Sequence, residues 1–206
     1  MPMVTDPDAH RQLAARASPD SSARVRPWRV ISSEKLVARR WLTVHEQRIA
    51  LPHGGEIGEF HLIEAPDWAA VVAITDAGNV VLVDQYRHGA GRPSRELPAG
   101  VIEPGESPEE AARRELLEES GYTAKRWSTL ITLCPEPARS TQRAHFFVAH
   151  DARRSFAQRP DPTEDIAVVE LAPTEVVAAI GAGTIVHASH VGALLLAAQR
   201  GLLQAV

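Results

Sequence analysis

Apolar and polar residues alternate with a period of two along WRVISSEKLV (28–37), WLTVHEQRIAL (41–51) and IGEFHLIEA (57–65). That period predicts strands of a small antiparallel sheet, with His53-Gly54-Gly55 as the turn between the last two. Two continuous apolar runs follow, AAVVAI (69–74) and VVLVDQY (80–86), and read as buried strands joined by a hairpin turn at Asp76-Ala77-Gly78-Asn79. After a Pro/Gly-rich passage from Glu96 to Gly105, residues Ser107 to Ser120 read as a helix. Ser107 is its cap, Pro108 suits the first turn, Glu110 completes a capping box, and Gly121 ends it. RWSTLITL (126–133), RAHFFVAH (143–150) and IAVVELA (166–172) predict three more strands. Thr174–Gly181 and His187–Gly201 predict two helices, the second strongly apolar and packed on the core.

Residues 1–26 are polar and Ala/Ser/Arg-rich without periodicity, and so form a flexible tail. The expected organisation is that tail, a β arm over 27–66, and a main domain over 67–206. Strands, a helix, more strands and two helices give the α+β class in a layered arrangement.

The 206 residues are 44% hydrophobic, enough for a substantial core. The net charge of -4 lacks the basic excess that neutralises a nucleic-acid backbone, so no nucleic-acid partner is expected. Cys134 is the single cysteine, which excludes an intrachain disulfide and argues against a cysteine-based zinc site. The first residues do not read as a secretory signal, and no run approaches the roughly 20 apolar residues that cross a bilayer. A cytoplasmic protein without a membrane partner is the expectation.

The chemistry concentrates in Gly100-VIEPG-Glu106-SPEEAAR-Arg114-Glu115-Leu116-Leu117-Glu118-Glu119-Ser120-Gly121-Tyr122. On a helix Glu115 neighbours both Glu118 and Glu119, and like charges at those spacings repel. A solvated acidic face is the bland reading of such a run. A hard divalent cation among the carboxylates is the functional one: oxygen ligands favour Mg²⁺ or Mn²⁺ over zinc, and the ion would neutralise phosphate charge and lower the pKa of a bound water. Arg114 could orient a carboxylate through its planar fork.

The spacing decides between the two. Gly100, Glu106, Arg114, Glu115, Leu116, Glu118, Glu119 and Gly121 match the Nudix box in register, with Tyr122 where an aliphatic residue is usual. The segment thus resembles that of the Nudix hydrolases, which implies a mixed sheet sandwiched between helices, with the box as a metal-carrying loop-helix-loop. By similarity Glu115 and Glu119 are the principal Mg²⁺ ligands, Glu118 is close by, the carbonyl of Ala99 joins them, and Arg114 pairs with one glutamate. Glu106 and the glycines fix the loop.

Outside the box, QYR (85–87), ELPAG (96–100), Pro137 and VHASHVGALLLA (186–197) are similar to the ADP-ribose pyrophosphatase branch. That resemblance implies Glu164 as a glutamate that binds metal or activates water. Arg87 and Arg95 are candidates to clamp the diphosphate, and Glu96 of ELPAG joins them on the substrate side. Trp41 and Phe60 fall where this branch stacks rings on the base. Arg139 stands in the loop Cys134–Ser140, where many relatives have Ser-Pro-Gly and then Glu, and it points to a nucleoside diphosphate sugar other than ADP-ribose. His88, His145, His187 and His190 form no metal-like grouping and read as packing or surface residues.

The implied activity is Mg²⁺-dependent hydrolysis of the diphosphate linkage of ADP-ribose or a related nucleoside diphosphate sugar, giving a nucleoside monophosphate and a sugar phosphate. The implied assembly is a homodimer with the arm packed across the two-fold axis. Hydrolysis of nucleoside triphosphates or dinucleoside polyphosphates, or a non-catalytic nucleotide sensor, are the alternatives. The long arm and ELPAG oppose the first, and the complete set of box glutamates opposes the second.

Overall fold

The computed structural model describes residues 25–203, so the expected tail lies outside the described residues apart from Val25 and Arg26. The arm forms a three-stranded sheet in the order β1-β2-β3, from β1 (Arg29–Arg39), β2 (Leu42–Ala50) and β3 (Glu56–Glu64). The described chain falls into two compact units: residues 25–33 with 47–60, and residues 34–46 with 61–203. In the smaller unit, Gly54 and Gly55 turn the chain at φ 92° and 87°, a conformation that residues with a Cβ rarely adopt. There Trp28 meets Phe60 edge to face at 6.1 Å.

The larger unit contains an eight-stranded sheet: β4 (Trp68–Thr75), β5 (Val80–Arg87), β6 (Arg92–Glu96), β7 (Ala99–Val101), β8 (Tyr122–Thr123), β9 (Arg126–Leu133), β10 (Ala144–Arg154) and β11 (Ile166–Leu171). Its spine runs β11-β5-β4-β10-β8, with β6 on β5, β7 on β4 and β9 on β10. β4 and β10 are parallel, whereas β4 and β5 are antiparallel, so the sheet is mixed.

β4 is buried along its whole length, and its two faces explain why AAVVAI runs without polar interruption. Ala69, Val71 and Ala73 pack with Ala111, Ala112 and Leu116 of the box segment. Ala70, Val72 and Ile74 pack with Val176 and Ala179 of α2 (Pro173–Gly181) and with Ala193, Leu194 and Ala197 of α3 (Ala188–Gln199). Helices therefore cover both faces, as the α+β layered expectation requires. Among the described residues, no helix is long and apolar enough to cross a membrane.

Two parts of the sequence reading need correction. The Pro/Gly-rich passage from Glu96 to Gly105 carries β7, and ahead of it, where no element was expected, lie a 3₁₀ turn (His88–Ala90) and β6. Pro and Gly hide these strands because β6 and β7 each edge onto a longer partner and need no alternation of their own. The helix expected over 107–120 is α-helical only over α1 (Pro108–Glu115), and Leu116–Ser120 widen into a π turn. The start is as expected: Ser107 Oγ accepts from the Glu110 amide at 3.3 Å, and Glu110 accepts from the Ser107 amide at 2.8 Å.

Gly121 ends the π turn at φ 75°, and a Cβ there would lie 2.2 Å from the Phe156 carbonyl oxygen. Backbone conformation and close approach both demand glycine. Gly121→Ala should lower stability by more than about 2 kcal/mol, seen as a lower urea midpoint with an unchanged slope. A midpoint within error of the parent chain would show that the segment relaxes.

Candidate active site

The box segment lies against β4 and β7, and this contact sets the site. β4 and β5 pair only at Ala73↔Val81 and Ile74↔Val80. Beyond that point β6 pairs with β5 and β7 with β4, and Leu97-Pro98 bridges between them. A cavity of about 310 Å³ is lined by Trp68, Arg87, Glu96, Ala99, Gly100, Val101, His187 and His190. Its volume lies at the lower end of those that hold small ligands.

Glu119 and Glu115 approach the same stretch of backbone. The Ala99 amide donates to Glu119 Oε2 at 2.9 Å. A Cβ on Gly100 would lie 2.0 Å from Glu115 Oε1, so the missing side chain is what lets that carboxylate rest there. Glu119 is 2% exposed and Glu115 8%, whereas the Glu118 side chain is 44% exposed. The three glutamates therefore do not share one environment: two are buried and one faces solvent.

Arg114 organises the carboxylates. Its Nε and Nη2 donate to the two oxygens of Glu106 at 2.9 and 3.0 Å, and Nη2 also donates to the Val101 carbonyl at 3.0 Å. Nη1 donates to Glu115 at 2.6 Å and to Glu118 at 3.1 Å. The sequence implied one paired glutamate, and the structure gives three. Glu106 also accepts from the Glu103 amide at 3.0 Å, the loop-fixing role expected of it.

Glu164 sits on the loop before β11, where its carboxylate accepts from the Asp161 amide at 3.0 Å. Its charge is felt at both Glu115 and Glu119. The loop is stitched to the box: the Arg159 amide donates to the Glu118 carbonyl at 2.7 Å, and the Ser155 and Phe156 amides donate to the Gly121 carbonyl at 2.9 and 3.1 Å. Burial pushes Glu119 up to about 9, with Glu115 and Glu164 adding to the rise while the Ala99 amide and Arg87 oppose it. Burial likewise takes Glu115 up to about 6 against the pull of Arg114, with Glu118 and Glu164 adding. Buried oxygen donors with mutually opposed charges fit a hard divalent cation. Of the expected ligands, Glu115 and Glu119 are the two whose carboxylates rest against the Ala99–Gly100 backbone.

The remaining candidates are more dispersed. Arg87 grips Glu96 through Nε at 2.9 Å and Nη2 at 2.6 Å, and the 1%-exposed Glu96 is thereby committed to holding Arg87. The Arg87 guanidinium feels the charges of Glu119 and Glu164 and lines the cavity. Arg95 is bound by Asp84 through two contacts of 2.7 Å. The Asp84↔Arg95 pair adjoins Val83↔Glu96, so strand alternation turns Arg95 to the face opposite Glu96. The structure does not bring Arg87 and Arg95 together as a clamp. Arg139 pairs with Glu136 at 2.5 Å within its own loop. Trp41 is 55% exposed with the Arg40 guanidinium 4.4 Å over its ring. Phe60 has the Trp28 contact described above.

Two of the histidines expected to be packing or surface residues sit beside the cavity. His190 is 1% exposed and accepts from the Leu97 amide at 3.2 Å, and His187 stacks on it at 4.4 Å. His190 is thus a packing residue, as expected, that also takes a hydrogen bond, and His187 is half-buried beside it. The His-x-x-His spacing at the start of the last helix was the available signal, but nothing local reveals a partner more than ninety residues away.

Comparison with known proteins agrees with this geometry. The NUDIX domain family model matches residues 65–191, and the model of the nucleoside diphosphate sugar hydrolase N-terminal domain matches residues 28–63. The chain is 31% identical over 144 residues to an ADP-ribose pyrophosphatase of Bacillus subtilis, covering 69% of this chain and 77% of the relative. It is 29% identical over 182 residues to a GDP-mannose pyrophosphatase of Yersinia enterocolitica, covering 82% and 95%. A crystal structure of an ADP compounds hydrolase superposes with a TM-score of 0.76 at 24% identity, over 88% of this chain and 98% of that one, a likeness of fold. With Glu115 and Glu119 set against β7 and a family match over most of its length, the chain belongs to the Nudix hydrolases, as a pyrophosphohydrolase of their nucleoside diphosphate sugar branch.

Proposed function

We propose that the protein hydrolyses the diphosphate linkage of ADP-ribose or a related nucleoside diphosphate sugar with Mg²⁺, giving a nucleoside monophosphate and a sugar phosphate. The observation that carries this reading is the burial of Glu119 and Glu115 against Ala99 and Gly100, backbone that lines the same cavity as Arg87. The names of the relatives supply the substrate class.

Glu115 and Glu119, with Glu118, Glu164 and the Ala99 carbonyl nearby, would hold Mg²⁺, with Mn²⁺ as a substitute. When bound, the cation supplies charge neutralisation and water activation. Arg114 keeps Glu115 and Glu118 oriented. Arg87, fixed by Glu96, offers its half-exposed guanidinium to the diphosphate. Glu164 accepts the proton of the attacking water. One P–O bond forms and the anhydride P–O bond breaks, with the charge on the departing phosphate met by the same groups.

The arm over 27–66 supports assembly with a second copy. β1 is exposed at every position, including Val30, Ile31, Leu36 and Val37, and such an edge strand ordinarily finds cover. In the dimer, Trp41 or Phe60 would lie beside the partner's site and stack on the base.

Glu119→Gln should cut kcat by about a thousandfold or more while the protein stays folded, since a group in the metal-binding set is lost. Parent-like turnover would refute the assignment. A Mg²⁺-dependent assay across ADP-ribose, nucleotide hexoses, dinucleoside polyphosphates and triphosphates should favour the first two classes. Preference for a triphosphate would overturn the substrate reading, and nucleotide binding without phosphate release would point to a sensor.

Glu119 and Glu115 also predict a pH effect. Their folded-state pKa values, about 9 and about 6, lie above the ordinary 4.5, so the folded chain retains protons that the unfolded chain releases. With a chelator present, stability should therefore fall as pH rises from about 4.5 towards about 9. Mg²⁺ should restore it, and Glu119→Gln should flatten the profile. A profile equally steep in the variant would place the cause elsewhere.

A further inference from the structure

Four consecutive residues, Glu96 to Ala99, are each fastened to a different element. The Glu96 carboxylate takes the Arg87 fork on β5. The Leu97 amide donates to His190 Nδ1 on α3 at 3.2 Å. The Pro98 carbonyl accepts from the Val71 amide on β4 at 3.1 Å. The Ala99 amide donates to Glu119 in the π turn at 2.9 Å. This segment crosses from β5 to β4, so it has no continuous ladder to fix it, and each fastener stands in for the missing one.

His190 is the fastener that comes from the last helix. Its ring is held from several sides: His187 stacks at 4.4 Å, Trp68 approaches at 5.3 Å and Phe146 at 5.9 Å. Nδ1 acts as the acceptor for Leu97, which leaves the ring proton on Nε2. Loss of that acceptor would leave a buried amide unpaired in the middle of the crossing, next to the two residues that set Arg87 and Glu119.

We propose that His190 is a positioning residue: by fixing the Leu97 amide, it holds the Ala99 amide on Glu119 and Glu96 on Arg87. Its effect on turnover rests on the metal-dependent hydrolysis proposed above, whereas its effect on the segment itself does not.

The test compares His190→Phe, which keeps a ring but removes the acceptor, with His190→Asn, whose amide oxygen can take the place of Nδ1. Leu194→Ala, in the same core cluster as Leu97 but a residue that offers the crossing no hydrogen-bond acceptor, controls for general loss of packing. Amide hydrogen exchange over residues 97–101 is followed with EDTA present, then Mn²⁺ affinity, kcat and KM. In H190F, exchange at Leu97 and Ala99 should quicken by about tenfold, as expected when one local hydrogen bond is lost. Mn²⁺ affinity and kcat should fall together by about tenfold, as for outer-shell supports of metal sites, with KM little changed. H190N should recover most of each, and L194A should lower Tm while leaving exchange at these amides and Mn²⁺ affinity near the parent values. Parent-like exchange in H190F, parent-like Mn²⁺ affinity despite fast exchange, or the same losses in L194A would each overturn the proposal. If H190F does not fold, His190→Leu, which likewise offers no acceptor, takes its place and is read against H190N in the same way. Altered exchange and Mn²⁺ affinity with no hydrolysis of any nucleotide sugar would leave His190 in its role and refute the proposed function instead.

Discussion

Two carboxylates are buried against a strand backbone where neighbouring charges oppose them, and the surroundings of Glu115 and Glu119 are built around that cost. A buried carboxylate is tolerated when it is hydrogen-bonded and its charge is met. Here Ala99 supplies an amide to Glu119, Gly100 leaves room for Glu115 where any Cβ would collide, and Arg114 reaches Glu115 from the next position in the chain. The π turn separates the half-exposed Glu118 from the buried pair, and the Glu118 carbonyl receives the Arg159 amide of the loop that carries Glu164. π turns of this kind recur at functional sites because they re-aim side chains without breaking the helix.

The sheet supplies the room. β4 and β5 begin as a hairpin and then separate, each taking a shorter strand as its new neighbour. The cavity is lined by residues of β4, β5, β6, β7 and the start of α3, with the glutamates bearing on its Ala99–Gly100 wall. Arg87 and Arg95 belong to the two paired strands, yet their environments differ because successive side chains point to opposite faces. One joins the electrostatics of the glutamates, and the other is spent on Asp84.

Much of this was legible in the sequence where chemistry and period coincide. The capping box at Ser107 and Glu110, the buried runs of β4 and β5, and the exact register of the box glutamates all depend on near neighbours in the chain. What escaped depends on partners remote in sequence. β6 and β7 exist because β5 and β4 offer them edges, and Pro93, Pro98 and the glycines conceal them. The π turn satisfies packing and the loop at Arg159, neither of which leaves a periodic trace. His190 looked like one apolar-face histidine among several because its partner, Leu97, lies on the far side of the box. Arg95 was a candidate clamp beside Arg87 until pairing fixed the face each one takes.

The central claim is that Glu115 and Glu119 are held together for a divalent cation. Anomalous X-ray scattering from crystals grown with saturating Mn²⁺ and a non-hydrolysable nucleotide sugar tests it most directly. A manganese peak in bonding contact with oxygens of both glutamates is the predicted result. A map with well-ordered glutamates and no such peak between them, at the same occupancy of nucleotide, would contradict the account.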